Sequence, residues 1–228
     1  MENKIAVVTG ANGSIGKALI ERLRKYGIRC LCVDKEGQES DDFFLCDLSE
    51  QRQVMDLLNT ISSKFEKIDY LFNVAGIGIY KKIEDLTITE WNDSLMVNLS
   101  TPYVLSKGLL PLLKKSDDAL IVNIGSGMGV KPSAGRIAYC ASKFGLRGLS
   151  LSLSKEFKGG NVKVVLLTLG SVMTNFGTGG IEHRKKLAEN GKKYLTTDEV
   201  VEKIVEIINS PNKRSEYFIY PQGYMTDK

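Results

Sequence analysis

Short apolar runs and amphipathic stretches alternate along this chain in a regular rhythm. KIAVVT, IRCLCVD, FFLCD, IDYLFNVAG, ALIVNIGS, VKVVLLTLG and EYFIYP are apolar almost throughout and rich in β-branched and aromatic residues, the pattern of strands covered on both faces. Between them lie segments with helical spacing: KALIERLRKY up to about Tyr26, about Glu50 to Phe65, and Thr89 to about Lys115 with an interruption near Thr101-Pro102. Two more run from about Ile137 to Phe157 and from about Thr197 to Asn209. Seven strands separated by helices predict an α/β fold of the Rossmann type: a doubly wound, mostly parallel seven-stranded sheet with helices on both faces. The segment SVMTNFGTGGIEHRKKLAENGKKYL fits neither period and is long enough to predict a functional loop at about 172 to 195 with a short helix inside.

Composition narrows the picture. At 228 residues and 43% hydrophobic content, with no repeat and no linker, the chain is expected to form a single domain over 1 to 228. MENKIAVV has no charged segment leading into a long apolar stretch, and no run reaches the roughly 18 apolar residues of a membrane span. A cytoplasmic protein without a membrane partner is expected. A net charge of +4 with no basic stripe gives no reason to expect nucleic acid. Cys30, Cys32, Cys46, Cys140 and the single His183 have no metal-ligand spacing, so no metal is expected, and the cysteines are read as buried thiols.

The sharpest local signal is TGANGSIG, residues 9 to 16, where the first strand turns into the first helix. Such a turn presents unpaired N–H groups and the positive end of a helix dipole, which suits a phosphate. Gly10 would permit the turn, Gly13 would let a pyrophosphate approach, and Gly16 would let helix and strand pack closely. Gly10, Asn12, Gly13, Ser14, Ile15 and Gly16 are therefore candidate cofactor residues. Asp34 ends the second strand 18 positions past Gly16, where a carboxylate accepts from the ribose hydroxyls of NAD and repels the extra phosphate of NADP. NAD(H) is the expected cofactor, with NADP(H) still open because Lys35 follows.

With VD at 33 to 34, CDL at 46 to 48, NVAG at 73 to 76, Asn98 in MVNLS, Ser126 in VNIGS and YCASK at 139 to 143, the chain resembles the short-chain dehydrogenase/reductase family along essentially its whole length. The resemblance implies that Asp47 and Leu48 border the adenine, and that Asn73, Ala75 and Gly76 support the central strand and the adenosine ribose. Gly170, Val172 and Thr174 would close over the nicotinamide. It implies a catalytic set of Asn98, Ser126, Tyr139 and Lys143, with Tyr139 and Lys143 also touching the cofactor, Ser126 bonding the substrate oxygen and Asn98 holding a water. Tyr139 and Lys143 lie four apart on a predicted helix and so share a face. An ammonium there would bring the phenol down towards the working range of a general base.

Two positions depart from the family pattern. The glycines fall as TGxxGxxG, with Ser14 where the branch of this length has glycine, a spacing similar to the extended sugar-nucleotide enzymes, and Leu169-Gly170 stands where Pro-Gly is common. The expected activity is hydride transfer between the cofactor and a secondary alcohol or ketone. The alternatives are a nucleotide-binding sensor of the same fold and an extended-type sugar-nucleotide enzyme. Arg184, Lys185, Lys186, Lys192 and Lys193 outnumber Glu182 and Glu189 by three, either an attraction for an anionic substrate or a solvated helix face. The helix from Ile137 carries Ala138, Ala141, Ser142, Gly145, Gly148, Ser150 and Ser152, small residues that predict a homodimer or homotetramer packed through it.

Overall fold

A computed structural model describes residues 3 to 223; the ends of the expected 1 to 228 span lie outside it. Seven strands, β1 (Ile5–Thr9), β2 (Arg29–Asp34), β3 (Phe43–Leu45), β4 (Tyr70–Asn73), β5 (Ala119–Ser126), β6 (Val162–Leu169) and β7 (Glu216–Ile219), form one sheet in the order β3-β2-β1-β4-β5-β6-β7. All six pairings are parallel. The chain reverses its direction of travel across the sheet between β1 and β4, so a crevice opens above their carboxyl ends, the ligand site of doubly wound folds.

The apolar runs are continuous because successive side chains feed two cores. Ala6, Val8, Cys30, Cys32, Tyr70 and Phe72 face one core, under helices α1 (Ser14–Lys25) and α7 (Thr197–Asn209). Val7, Leu31, Val33 and Leu71 face the other, under α2 (Gln51–Lys64) and α4 (Thr101–Leu113). The expected interruption of the long helical region exists, but it is a π-helical turn at Met96–Ser100 between α3 (Ile88–Leu95) and α4. Pro102 begins α4, where its missing N–H costs nothing, and so does not cause the break. The unassigned segment contains α6 (Gly180–Glu189) as anticipated, and Val172 pairs with Leu195 to close its base.

Helix α5 (Ile137–Glu156) divides its small residues between two faces. Ala138, Ser142 and Ser150 are buried within the chain's own fold, and a Cβ on Gly145 would come within 2.7 Å of Leu99, so these small residues serve intramolecular packing. Only part of the stripe, including Gly148, faces outward. The cysteines are all free and buried, and among the described residues no helix is long and apolar enough to cross a membrane.

Candidate active site

The β1–α1 turn is shaped by contacts that exclude side chains. Gly10 sits at φ +67°, and a Cβ on it would meet the Ala75 backbone at 2.8 Å. A Cβ on Gly16 would lie 2.1 Å from the Gly10 carbonyl oxygen, so only glycine lets α1 rise so close to the strand. Ser14 is simply the first residue of α1 and needs no left-handed backbone, which is why a side chain is tolerated where the family often has glycine. Gly13 caps the helix, no side chain bonds its first-turn N–H groups, and no acidic residue stands in that turn. Asp34 closes the rim: its Oδ2 accepts from the Asn12 N–H at 2.9 Å, and Asn12 in turn donates to the Glu36 carbonyl.

Asp47 accepts from the N–H and hydroxyl of Ser49 at 2.9 and 2.7 Å, bonds that hold its carboxyl below the usual range. Leu48 is buried next to it, and its carbonyl accepts from Thr101 Oγ1 at 2.8 Å. Thr9 Oγ1 accepts from the N–H groups of Val74 and Ala75, both at 3.1 Å, which fixes the NVAG stretch against β1. Asn73 donates to Asn123 Oδ1 at 2.7 Å, Asn123 donates to Ser150 Oγ at 2.9 Å, and the polar chain thus ties β4 through β5 to α5. On the far side Gly170 donates to the Ile219 carbonyl at 2.8 Å and packs against Tyr220 and Pro221, a firm seat despite Leu169 in place of proline. Val172 and Thr174 are buried at the start of the following segment.

Ser126 ends β5, and its Oγ accepts from the Met128 N–H at 3.1 Å. Tyr139 and Lys143 sit on the inner face of α5, 6% and 5% exposed, with Lys143 Nζ 5.8 Å from the centre of the Tyr139 ring. That Nζ donates to the Ile124 carbonyl at 2.9 Å. Burial lowers the Lys143 ammonium to about 8. Burial, then the neighbouring Tyr80, push the Tyr139 phenol well above its ordinary value, against a smaller opposing effect of its hydrogen bond with Ser126. The expected lowering of Tyr139 by Lys143 is therefore not the net result, because removing a phenolate from water costs more than the neighbouring groups return.

Asn98 is fully buried in the π-helical turn. Its Oδ1 accepts from the Ile77 N–H at 2.9 Å, and its Nδ2 donates to the Ile77 carbonyl at 3.0 Å and Ser142 Oγ at 3.1 Å. Ser142 Oγ donates onward to the Tyr139 carbonyl at 2.8 Å. The side-chain amide is thus engaged at both ends and pins the loop after β4 to the helix that carries Tyr139.

These groups line one open cavity of about 1320 Å³ that runs from Asp34 and Asp47 past Gly10 and Gly76 to Tyr139 and the 172 to 195 segment. Every expected cofactor and catalytic residue except Asn73 and Asn98 lines it, and those two lie buried just behind. Four further residues complete the wall around Tyr139. Tyr80 meets its ring edge-on at 5.6 Å, Phe176 lies tilted at 5.7 Å, and Arg136 and Arg184 stand behind these two. Phe176 and Arg184 fall within the loop singled out above; Arg184 belongs to the basic excess noted there, whereas nothing in the pattern marks Phe176.

The glycine turn, the uncapped helix start and the Asp34 carboxylate at the rim fit the pyrophosphate and ribose of a dinucleotide. Fold and crevice together define a nucleotide-binding protein of the doubly wound class. More narrowly, the short chain dehydrogenase family model matches residues 4 to 184, and this chain belongs to that family. It is 32% identical over 185 residues to a 3-oxoacyl-(acyl-carrier-protein) reductase of Haemophilus influenzae, covering 77% of this chain and 76% of the relative. It is 28% identical over 190 residues to the D-threitol dehydrogenase of Mycolicibacterium smegmatis, covering 78% and 73%. Among solved structures, 4-hydroxyisoleucine dehydrogenase complexed with NADH matches with a TM-score of 0.89 at 25% identity, over 99% of this chain and 100% of the other. A metagenomic short-chain oxidoreductase in complex with NADP matches at 0.79 and 26% identity, over 97% and 98%. The protein is thus an oxidoreductase acting on CH–OH or C=O groups of small molecules with a nicotinamide cofactor.

Proposed function

We propose that the chain is an NAD-dependent enzyme, a single domain over 1 to 228, that interconverts a secondary alcohol and its ketone with Tyr139 as general acid/base. The observation that carries this reading is the meeting of Ser126, Tyr139 and Lys143 at the carboxyl end of β5, in the same cavity as the glycine turn. Gly10, Gly13, Ser14 and Gly16 would hold the pyrophosphate, Asp34 the adenosine ribose, Asp47 and Leu48 the adenine, and Gly170 to Thr174 the nicotinamide end. When bound, the cofactor takes or supplies hydride at the carbinol carbon.

The rest falls to the chain. Because burial keeps the Tyr139 phenol protonated at rest, it is set to donate to a carbonyl oxygen that gains charge, and it takes the hydroxyl proton back in the oxidative direction. Ser126 Oγ bonds the same substrate oxygen. Lys143, held by the Ile124 carbonyl, supplies positive charge beneath the ring, and Asn98 positions α5 through Ser142. Asp34 favours NAD(H), since a carboxylate beside a 2'-phosphate adds like-charge repulsion to the loss of ribose hydrogen bonds.

Tyr139→Phe tests the reading. It removes one hydroxyl and keeps the ring contacts with Tyr80 and Phe176, so melting temperature and NADH affinity are expected to hold while turnover of a secondary alcohol falls by about 10²- to 10⁴-fold. Turnover within about threefold of the parent, far inside that loss, would remove Tyr139 from the chemistry. Tight NADH binding with no turnover of any alcohol or ketone would favour a nucleotide sensor.

A further inference from the structure

Charge is unevenly distributed along the cavity. Its acidic lining residues Asp34, Glu36 and Asp47 belong to the β2–β3 side, leaving Asp93 of α3 as the other carboxylate among the described residues. Around the Tyr139 end the lining includes Lys131, Arg136, Arg184 and Lys192. Lys131 and Lys192 are exposed, but the two arginines are half-buried and built into the wall. The Arg136 guanidinium lies 4.7 Å over the Tyr80 ring, with Nη1 3.3 Å from Met128 Sδ. Arg184 donates to the Phe176 carbonyl and lies 5.7 Å from the Tyr194 ring. Tyr80 and Phe176 are the two rings that flank Tyr139, so Arg136 stands one ring away from the phenol and Arg184 is held by the main chain of the residue that supplies the other ring.

Among the described residues neither arginine forms a salt bridge. Both are held by neutral groups, a carbonyl, a thioether and aromatic faces. Half-buried in the wall of an open cavity and without a counter-ion, each guanidinium is left able to pair with an arriving anion. The planar guanidinium fork matches a carboxylate in particular, and the ring and thioether surroundings suit a monoanion joined to hydrocarbon. A solvated helix face accounts for Lys185, Lys186 and Lys193, none of which lines the cavity, but not for these two arginines.

We infer that Arg136 and Arg184 bind a carboxylate carried by the substrate, so that the compound turned over at Tyr139 is a hydroxy acid or its oxo acid. This rests on the oxidoreductase reading above. In oxidation Tyr139 first releases its own proton to water; the carbinol C–H bond then breaks with its electron pair going as hydride to the oxidised nicotinamide, the hydroxyl proton goes to the Tyr139 phenolate, a C=O bond forms, and the carboxylate is unchanged.

The test compares the 2-, 3- and 4-hydroxy isomers of pentanoate with their primary amides, which keep size and shape but lose the charge. At least one acid is expected to exceed its amide in kcat/KM by about 30-fold or more, mainly through KM, the loss typical when a charge pair is truncated. Arg136→Met and Arg184→Met should each collapse that acid-to-amide ratio. A variant that slows acid and amide in the same proportion would assign the arginine to wall packing and overturn the inference, as would amides or a phosphorylated alcohol outpacing the acids. Binding provides a second readout: pentanoate itself should raise the melting temperature of the NADH-loaded parent, and less so that of either variant. If no isomer is turned over but that shift is seen, the carboxylate site stands and the reaction assigned to Tyr139 falls. If amides are turned over as well as acids and pentanoate gives no shift, the carboxylate site falls and the oxidoreductase reading stands; absence of both signals overturns the site.

Discussion

Lys143 holds a positive charge where water is scarce, and that sets a pH signature. The unfolded chain keeps this proton to near 10.5, whereas the folded chain releases it near 8. Between those values the unfolded state binds more protons, so the Lys143 contribution to stability rises with pH; below about 8 both states are charged and the full penalty of burial applies. Compared with Lys143→Met at pH 7 and pH 10, the unfolding free energy of the parent should therefore gain about 3 kcal/mol on the variant. Denaturant titrations at the two pH values check this, and parallel behaviour of the two proteins would contradict the assignment. Asp34 carries a different residue-scale expectation. Asp34→Ala removes the carboxylate, so NADPH should gain on NADH by about tenfold or more as like-charge repulsion is relieved; fluorescence titration of both reduced cofactors measures it. If the parent already binds NADPH as tightly as NADH, Asp34 does not select the cofactor.

Among the elements, the π-helical turn at Met96–Ser100 matters most to the site, because it turns Asn98 inward onto the Ile77 backbone. Asn98→Ala would leave the N–H and carbonyl of Ile77 without these partners, and each buried polar group left unsatisfied costs about 1–3 kcal/mol. The expected result is a clear drop in melting temperature and a loss of activity larger than the loss of NADH affinity, since Asn98 bears on α5 rather than on the glycine turn. The strands were legible because a strand buried on both faces writes itself as an unbroken apolar run, as IAVV and LIVNI do. The π turn was not, because one extra residue per turn leaves no period to detect, and Thr101-Pro102 marked only the nearby start of α4. The glycine turn and the Tyr139–Lys143 pair could be read from spacing. Tyr80, Arg136 and Phe176 could not, as they reach the site from irregular segments where nothing in the local pattern says which way a side chain points. The direction of the Tyr139 shift was also beyond reach, since it depends on how deeply the ring is buried.

For the whole molecule, the outward side of α5 suggests association. Ile137 and Phe144 are 38% and 42% exposed, and nothing lies within 4 Å of a Cβ built on Gly148, so an apolar and small face is left on the surface. Light scattering at micromolar concentration should give a dimer or tetramer, and Phe144→Glu should shift it towards monomer without lowering solubility; a monomeric parent would refute this. The cavity itself has two kinds of wall. At the glycine turn it is largely main chain, where a carbon added at Gly10 or Gly16 collides with backbone, and around Tyr139 it is made by side chains that include those on the stretch from 127 to 136 and the segment from 172 to 195. In a laboratory evolution campaign these halves would behave as a locked chassis and an interchangeable head. Libraries confined to the two segments should retain a folded, nucleotide-competent majority and yield new substrate preferences, whereas the same mutational load between 10 and 16 should yield mostly dead clones.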